Sequence, residues 1–187
     1  MTTSRLVAIV AGVAFIAVIG GSMVFLSAEP NHVGGRSGPV WAEARWPFPL
    51  DQWGGGRAFH CKAQDCGSEV DLYLRAKIGF CNCTSAIDDD EVDRVGDLDL
   101  IGGARAALAP GRPVEVHGMH GRRRSYAVAG RGAPARSALT IAFHDRCDMV
   151  VATAAVGGDA PAAQEDAVLA FLNSETVLRW AQAALGL

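Results

Sequence analysis

Residues 6–28, LVAIVAGVAFIAVIGGSMVFLSA, run for 23 positions without a charged side chain. As a helix this segment would be about 34 Å long, against a hydrocarbon core of about 30 Å. A secretory signal has a shorter apolar core, roughly 7–15 residues, and a small-x-small cleavage site. Here a cut after Ala28 would leave bulky Leu26 three residues before the cleaved bond. The pattern therefore fits an uncleaved anchor better than a cleaved signal. Arg5 is the one basic side chain on its N-terminal flank, and places the N-terminus in the cytoplasm by a narrow charge bias. No later apolar run approaches spanning length. The expected topology is one pass, with the rest of the chain outside the cytoplasm.

Residues 29–45, EPNHVGGRSGPVWAEAR, are rich in Gly, Pro and polar groups and read as a linker. The body then runs over 46–187, one domain's worth of chain, long enough to bury a core without depending on cysteines. Net charge is −3, ordinary for a soluble domain. Of 17 basic side chains only Lys62 and Lys77 are lysines. That arginine bias, with abundant Ala and Gly, points to high-GC coding, a bacterial source and a periplasmic body at the inner membrane.

Within the body, EVDLYLRAKIGF alternates Val70, Leu72, Leu74, Ala76 and Ile78 with Glu69, Asp71, Tyr73, Arg75 and Lys77. This is the period of a half-buried strand. RAFHCKA before it can pair as a hairpin across QDCGS. Acids from Asp88 and apolar Val92, Val95 and Leu98 mark a short helix. RPVEVHGMHG and RSYAVAG read as strands joined through GRRR; ALTIAFHD and DMVVATAAV read as a second pair turning near Arg146. Two helices follow, with Val168, Leu169 and Leu172 on one face of the first. Ser174 is placed to N-cap the second, which aligns Val177, Leu178, Ala181 and Leu185. Strands first and helices last predict an α+β domain: an antiparallel β-sheet with the C-terminal helices packed on one face.

The stretches WPFPLDQWGGGRAF and LYLRAKIGFCNC resemble uncharacterised bacterial membrane-anchored periplasmic proteins. The resemblance covers most of the body and implies neither an activity nor site residues.

The five cysteines are Cys61, Cys66, Cys81, Cys83 and Cys147. On a strand, Cys81 and Cys83 would lie about 7 Å apart on one side, which suits two partners better than one mutual bond. Outside the cytoplasm such cysteines form structural disulfides. The hairpin would set Cys61 opposite Cys66, and leave Cys81 or Cys83 to reach Cys147. The alternative pairs Cys61 and Cys66 with Cys81 and Cys83. An odd count leaves one sulfur over. A thiolate zinc or copper site built from Cys61, Cys66, Cys81 and Cys83 is the second reading, although C-x4-C and C-x-C sit at or beyond the edge of zinc-knuckle spacing. A redox pair would want C-x-x-C at a helix N-terminus, which neither pair has.

His117, Met119 and His120 in HGMH, His144 with Cys147, and His60 beside Cys61 are soft-metal donors, but along a strand the HGMH donors split between faces. The run Asp88, Asp89, Asp90, Glu91, Asp93, Asp97, Asp99 lacks the EF-hand pattern, with Val92 and Asp93 where a ligand and the Gly belong, and reads as a solvated helix start. Arg122, Arg123 and Arg124 form a candidate interaction patch for anionic headgroups or an acidic partner, or else a polar hairpin tip. Asn82-Cys83-Thr84 is a glycosylation acceptor in form only for a bacterium. No hydrolase, zincin, P-loop or dinucleotide signature occurs. The sequence thus predicts a membrane-tethered accessory or binding domain with no evident catalytic activity, acting on another envelope component and not on nucleic acid. Copper or zinc handling is the alternative.

Overall fold

Eight short or alternating segments find the same solution, one antiparallel sheet. A computed structural model describes residues 38–79, 86–130, 136–157 and 162–187. The elements in chain order are β1 (Trp41–Ala44), β2 (Arg57–Cys61), α1 (Ala63–Cys66), β3 (Val70–Lys77), α2 (Asp89–Val95), α3 (Leu98–Ile101) and β4 (Arg105–Ala107). They continue with β5 (Arg112–Val116), β6 (Met119–Val128), β7 (Arg136–Asp145), β8 (Asp148–Val156), α4 (Ala162–Leu172) and α5 (Glu175–Leu185). Among the described residues the sheet has eight strands in the order β1-β2-β3-β8-β7-β6-β4, with β5 also paired to β6. Strands β4 and β5 divide one edge of β6: β4 takes Tyr126–Val128, and β5 takes Met119–Arg123.

The alternation in β3 decides the layers. Val70, Leu72 and Leu74 join Phe59, Leu139, Ile141, Phe143 and Val150 beneath Val168, Leu172, Val177, Ala181 and Leu185 of α4 and α5. The C-terminal helices therefore cover one sheet face, as the sequence predicts. Each such Leu or Ile contributes about 1.5–3 kcal/mol by leaving water. Ser174 has the extended backbone of an N-cap, yet its side chain makes no capping hydrogen bond.

The other face is covered too. Helix α2 lays Val92 and Val95 on Ala142, Met149 and Val151. Helix α3 brings Leu98 onto Tyr126, Val128 and Ala138. Beyond them Trp46 and Phe48 meet the Tyr73 ring edge to face. The far end of the polar side of β3 is therefore not solvated, although Asp71 at its start is half-exposed. Arg75 is 1% exposed and Lys77 5%. Asp97 lies 3.5 Å from Arg75 Nε and 3.0 Å from Lys77 Nζ, Asp51 lies 2.6 Å from Arg75 Nη1, and the Val95 carbonyl accepts from Lys77. Trp46 closes over Arg75 at 5.0 Å. Burial and the Asp71 charge push the neighbouring Tyr73 hydroxyl up to about 12.

Three sequence expectations are corrected. The segment read as linker contains β1, whose Trp41 stacks on Phe171 of α4 at 4.8 Å and so ties it to the fold. GRRR is not a turn but the middle of β6. The reversal occurs at His117-Gly118, between the paired Val116 and Met119, with φ of +50° and +78°. A two-residue hairpin needs left-handed backbone, which Gly118 supplies freely and His117 adopts under strain. Gly121 then has a steric role, because an added Cβ would overlap the Ala142 carbonyl oxygen of β7. Third, Cys61 is opposite Val70, not Cys66, which sits at the end of α1. The tight β7–β8 reversal at Arg146 is as expected, with Arg146 at φ +54°. No helix among the described residues is long and apolar enough to cross a membrane; residues 6–28 lie outside the described residues.

Candidate functional site

Strand geometry sends consecutive side chains to opposite faces, and β6 does this with three arginines in a row. Arg122 and Arg124 face α2. Arg122 pairs with Asp89, and Arg124 Nη1 lies 2.8 Å from Asp93 and 3.7 Å from Asp89. The Tyr126 hydroxyl donates to Asp93 at 2.5 Å. The match is metric: four helical residues advance about 6 Å and two strand residues about 6.7 Å. Asp88 caps the same helix by accepting from the Glu91 N–H at 2.7 Å. The acidic run is thus only partly solvated, because Asp89 and Asp93 are counterions for β6. The Gly111 N–H and then Arg122 hold the Asp89 carboxyl below the ordinary carboxylate range. Burial, reinforced by the bond to Asp93, pushes the Tyr126 hydroxyl up.

Arg123 faces α4. It pairs with Glu165, whose side chain is 8% exposed. Arg112 of β5 is directly opposite Arg123 in the ladder and reaches the same carboxylate at 3.2 Å. Two like charges in register repel, so Glu165 between them is what makes the pair tolerable. No local signal in α4 marks this role, and the sequence analysis missed it.

Where β4 ends and β5 has not begun, Leu108 donates to the Ser125 carbonyl, and a cleft of about 290 Å³ opens at the sheet edge. Arg112, Arg123, Arg124, Ser125 and Glu165 line it with Ala109 and Pro110. Of the three arginines in the lining, Arg112 and Arg123 share the Glu165 carboxylate, while Arg124 is paired across the sheet with Asp93 and Asp89. Arg112 is 65% exposed, and the buried Nε of Arg123 has no hydrogen-bond partner. The arrangement can receive an acceptor, carboxylate or phosphate, on donors already fixed by their own ion pairs.

The remaining candidates are distributed as follows. Cys61 and Cys66 form a disulfide. Cys147, in the β7–β8 turn, is disulfide-bonded as well. Cys81 and Cys83 lie outside the described residues, as does Asn82. With Cys61 and Cys66 joined, those two sulfurs are not thiolate ligands in this oxidised form. Among the described residues no three His, Cys, Asp or Glu side chains gather as a metal would need. His60 Nδ1 lies 2.9 Å from Asp71, its partner on β3. His117 Nε2 donates to the Ser174 carbonyl at 3.2 Å, His144 Nδ1 lies 3.2 Å from the Arg146 carbonyl, and His120 is exposed on β6 opposite Glu115.

The described fold is a three-layer α+β domain with an arginine-lined cleft at one sheet edge. No protein-family model matches the chain, and no curated protein matches it either.

Proposed function

We propose that this protein is a membrane-tethered, disulfide-stabilised periplasmic binding domain that holds an anionic group of another envelope component in the Arg112–Arg123–Arg124 cleft. The observation that carries the reading is the arginine excess of the cleft: Glu165 alone among its lining residues is acidic. The uncharged 6–28 run supports the tether, and the Cys61–Cys66 bond supports an oxidising compartment. The domain acts by binding, with the guanidinium fork as the recognition element.

Two measurements test this. A reporter fused after Leu187 should be active outside the cytoplasm and stay with membranes through a high-salt wash; a soluble product lacking residues 1–28 would overturn the tether. Full-length protein in zwitterionic nanodiscs should bind inorganic phosphate or acetate, and Arg112→Ala should weaken that binding several-fold. Equal binding by the variant, or none by either protein, would overturn the cleft.

A further inference from the structure

The β5–β6 turn, the end of β7 and one face of α5 border a second, open cavity, of about 350 Å³. Met119, Leu178, Ala181 and Leu187 give it an apolar wall, and His117, Asp145 and Gln182 supply its polar groups. The turn that carries His117 is gripped from the α4–α5 corner. Its backbone N–H donates to Asn173 Oδ1 at 2.9 Å, and its ring Nε2 lies 3.2 Å from the Ser174 carbonyl oxygen. A carbonyl only accepts, so Nε2 carries the hydrogen of this contact. Asp145 offers an acceptor, now shared with Arg146, 3.3 Å away in an exposed pair of small energetic value. His117 holds φ +50° and Arg146 holds φ +54° in the two turns that border this cavity. Both values belong to two-residue hairpin turns, which hold the cavity's rim in a fixed geometry.

The geometry points to a binding site for a small amphipathic amine, with its ammonium on Asp145 and its apolar body on Met119, Leu178 and Ala181. The volume lies in the range of small-molecule pockets and is far larger than a single ion requires. Asp145 is the one acidic side chain among the described lining residues, and no arginine or lysine is among them, so a cationic donor is favoured over a carboxylate. This site is separate from the arginine cleft, which selects the opposite charge, and neither depends on the other.

The test uses full-length protein in zwitterionic nanodiscs, titrated with cyclohexylamine, cyclohexanol and cyclohexanecarboxylate. The amine should bind at least tenfold more tightly than the alcohol, and the carboxylate should not compete. Asp145→Asn should remove that preference while leaving the thermal midpoint and phosphate binding unchanged. Indifference among the three probes, or a preference that survives Asp145→Asn, would overturn the site. Copper(II) displacing the amine stoichiometrically would overturn it in favour of a His117–Met119–Asp145 metal site.

Discussion

Arg123 and Arg124 are neighbours in sequence, and their guanidinium groups are paired on opposite faces of the sheet, one with Glu165 of α4 and the other with Asp93 of α2. A single strand therefore clamps both helical layers. The middle of β6 thus carries one set of ion pairs that joins the layers, and the Arg75–Lys77–Asp97 group of β3 carries another.

Replacing Glu165 tests that clamp. Glu165→Gln leaves Arg123, 18% exposed, facing Arg112 with no carboxylate between them. The unfolding free energy should fall by about 3 kcal/mol, the lower end for breaking a buried ion pair. Converting Arg123 to Leu as well should recover most of that loss. Urea unfolding of the three proteins measures both effects; a single variant as stable as the native protein would remove the clamp.

Acid should loosen α2 by protonating Asp89. The folded pKa of Asp89 lies below that of an unfolded aspartate, about 3.9, so the native state binds fewer protons. The contribution is present above about pH 4 and is lost as pH falls through the folded value. Stability curves for the native protein and Asp89→Asn should run apart from pH 5 to 7 and converge below pH 4. Parallel curves down to pH 2 would separate Asp89 from the acid response.

The cysteines give a third comparison. Cys61–Cys66 closes a loop of sequence separation 5 and should contribute about 2 kcal/mol by loop-closure entropy. A bond from Cys147 to Cys81 or Cys83 closes more than sixty residues, worth about 4 kcal/mol on the same basis. Peptide mapping without reductant should recover Cys147 joined to the peptide that carries Cys81 and Cys83. Denaturation of Cys147→Ser should show the larger loss. Mapping that joins Cys147 to Cys61 or Cys66 would refute this connectivity.

The legible parts of the fold were those with a period. Val70 to Lys77 alternates, and Val177, Ala181 and Leu185 repeat at helical spacing, so β3 and α5 could be placed from their residues alone. β1 and β4 could not, being four and three residues long with largely exposed side chains and no run in which alternation could show. The GRRR error was one of turn chemistry: His-Gly was the reversal, and three arginines look like a tip until their counterions are known. Those counterions lie more than thirty residues away, at Asp89, Asp93 and Glu165. One signal could have found two of them. Acids four apart on a helix match arginines two apart on a strand, which DDEVD and RRR satisfy. Glu165 had no such spacing to betray it, and neither did the cavity at His117, which three separate elements assemble.

The chain passes from its N-terminal side into the domain through β1, which among the described residues is the outermost strand of the sheet and is paired only to β2. A pull from that side loads β1 at one end, so its hydrogen bonds to β2 are strained one at a time rather than together. Four residues and the Trp41–Phe171 stack would give way in sequence at low force. The remaining strands, joined through β3 and β8, would keep their register. In mechanical terms β1 is a peelable tab: tension arriving from the first thirty-seven residues would be dissipated there before it reached the arginine strand.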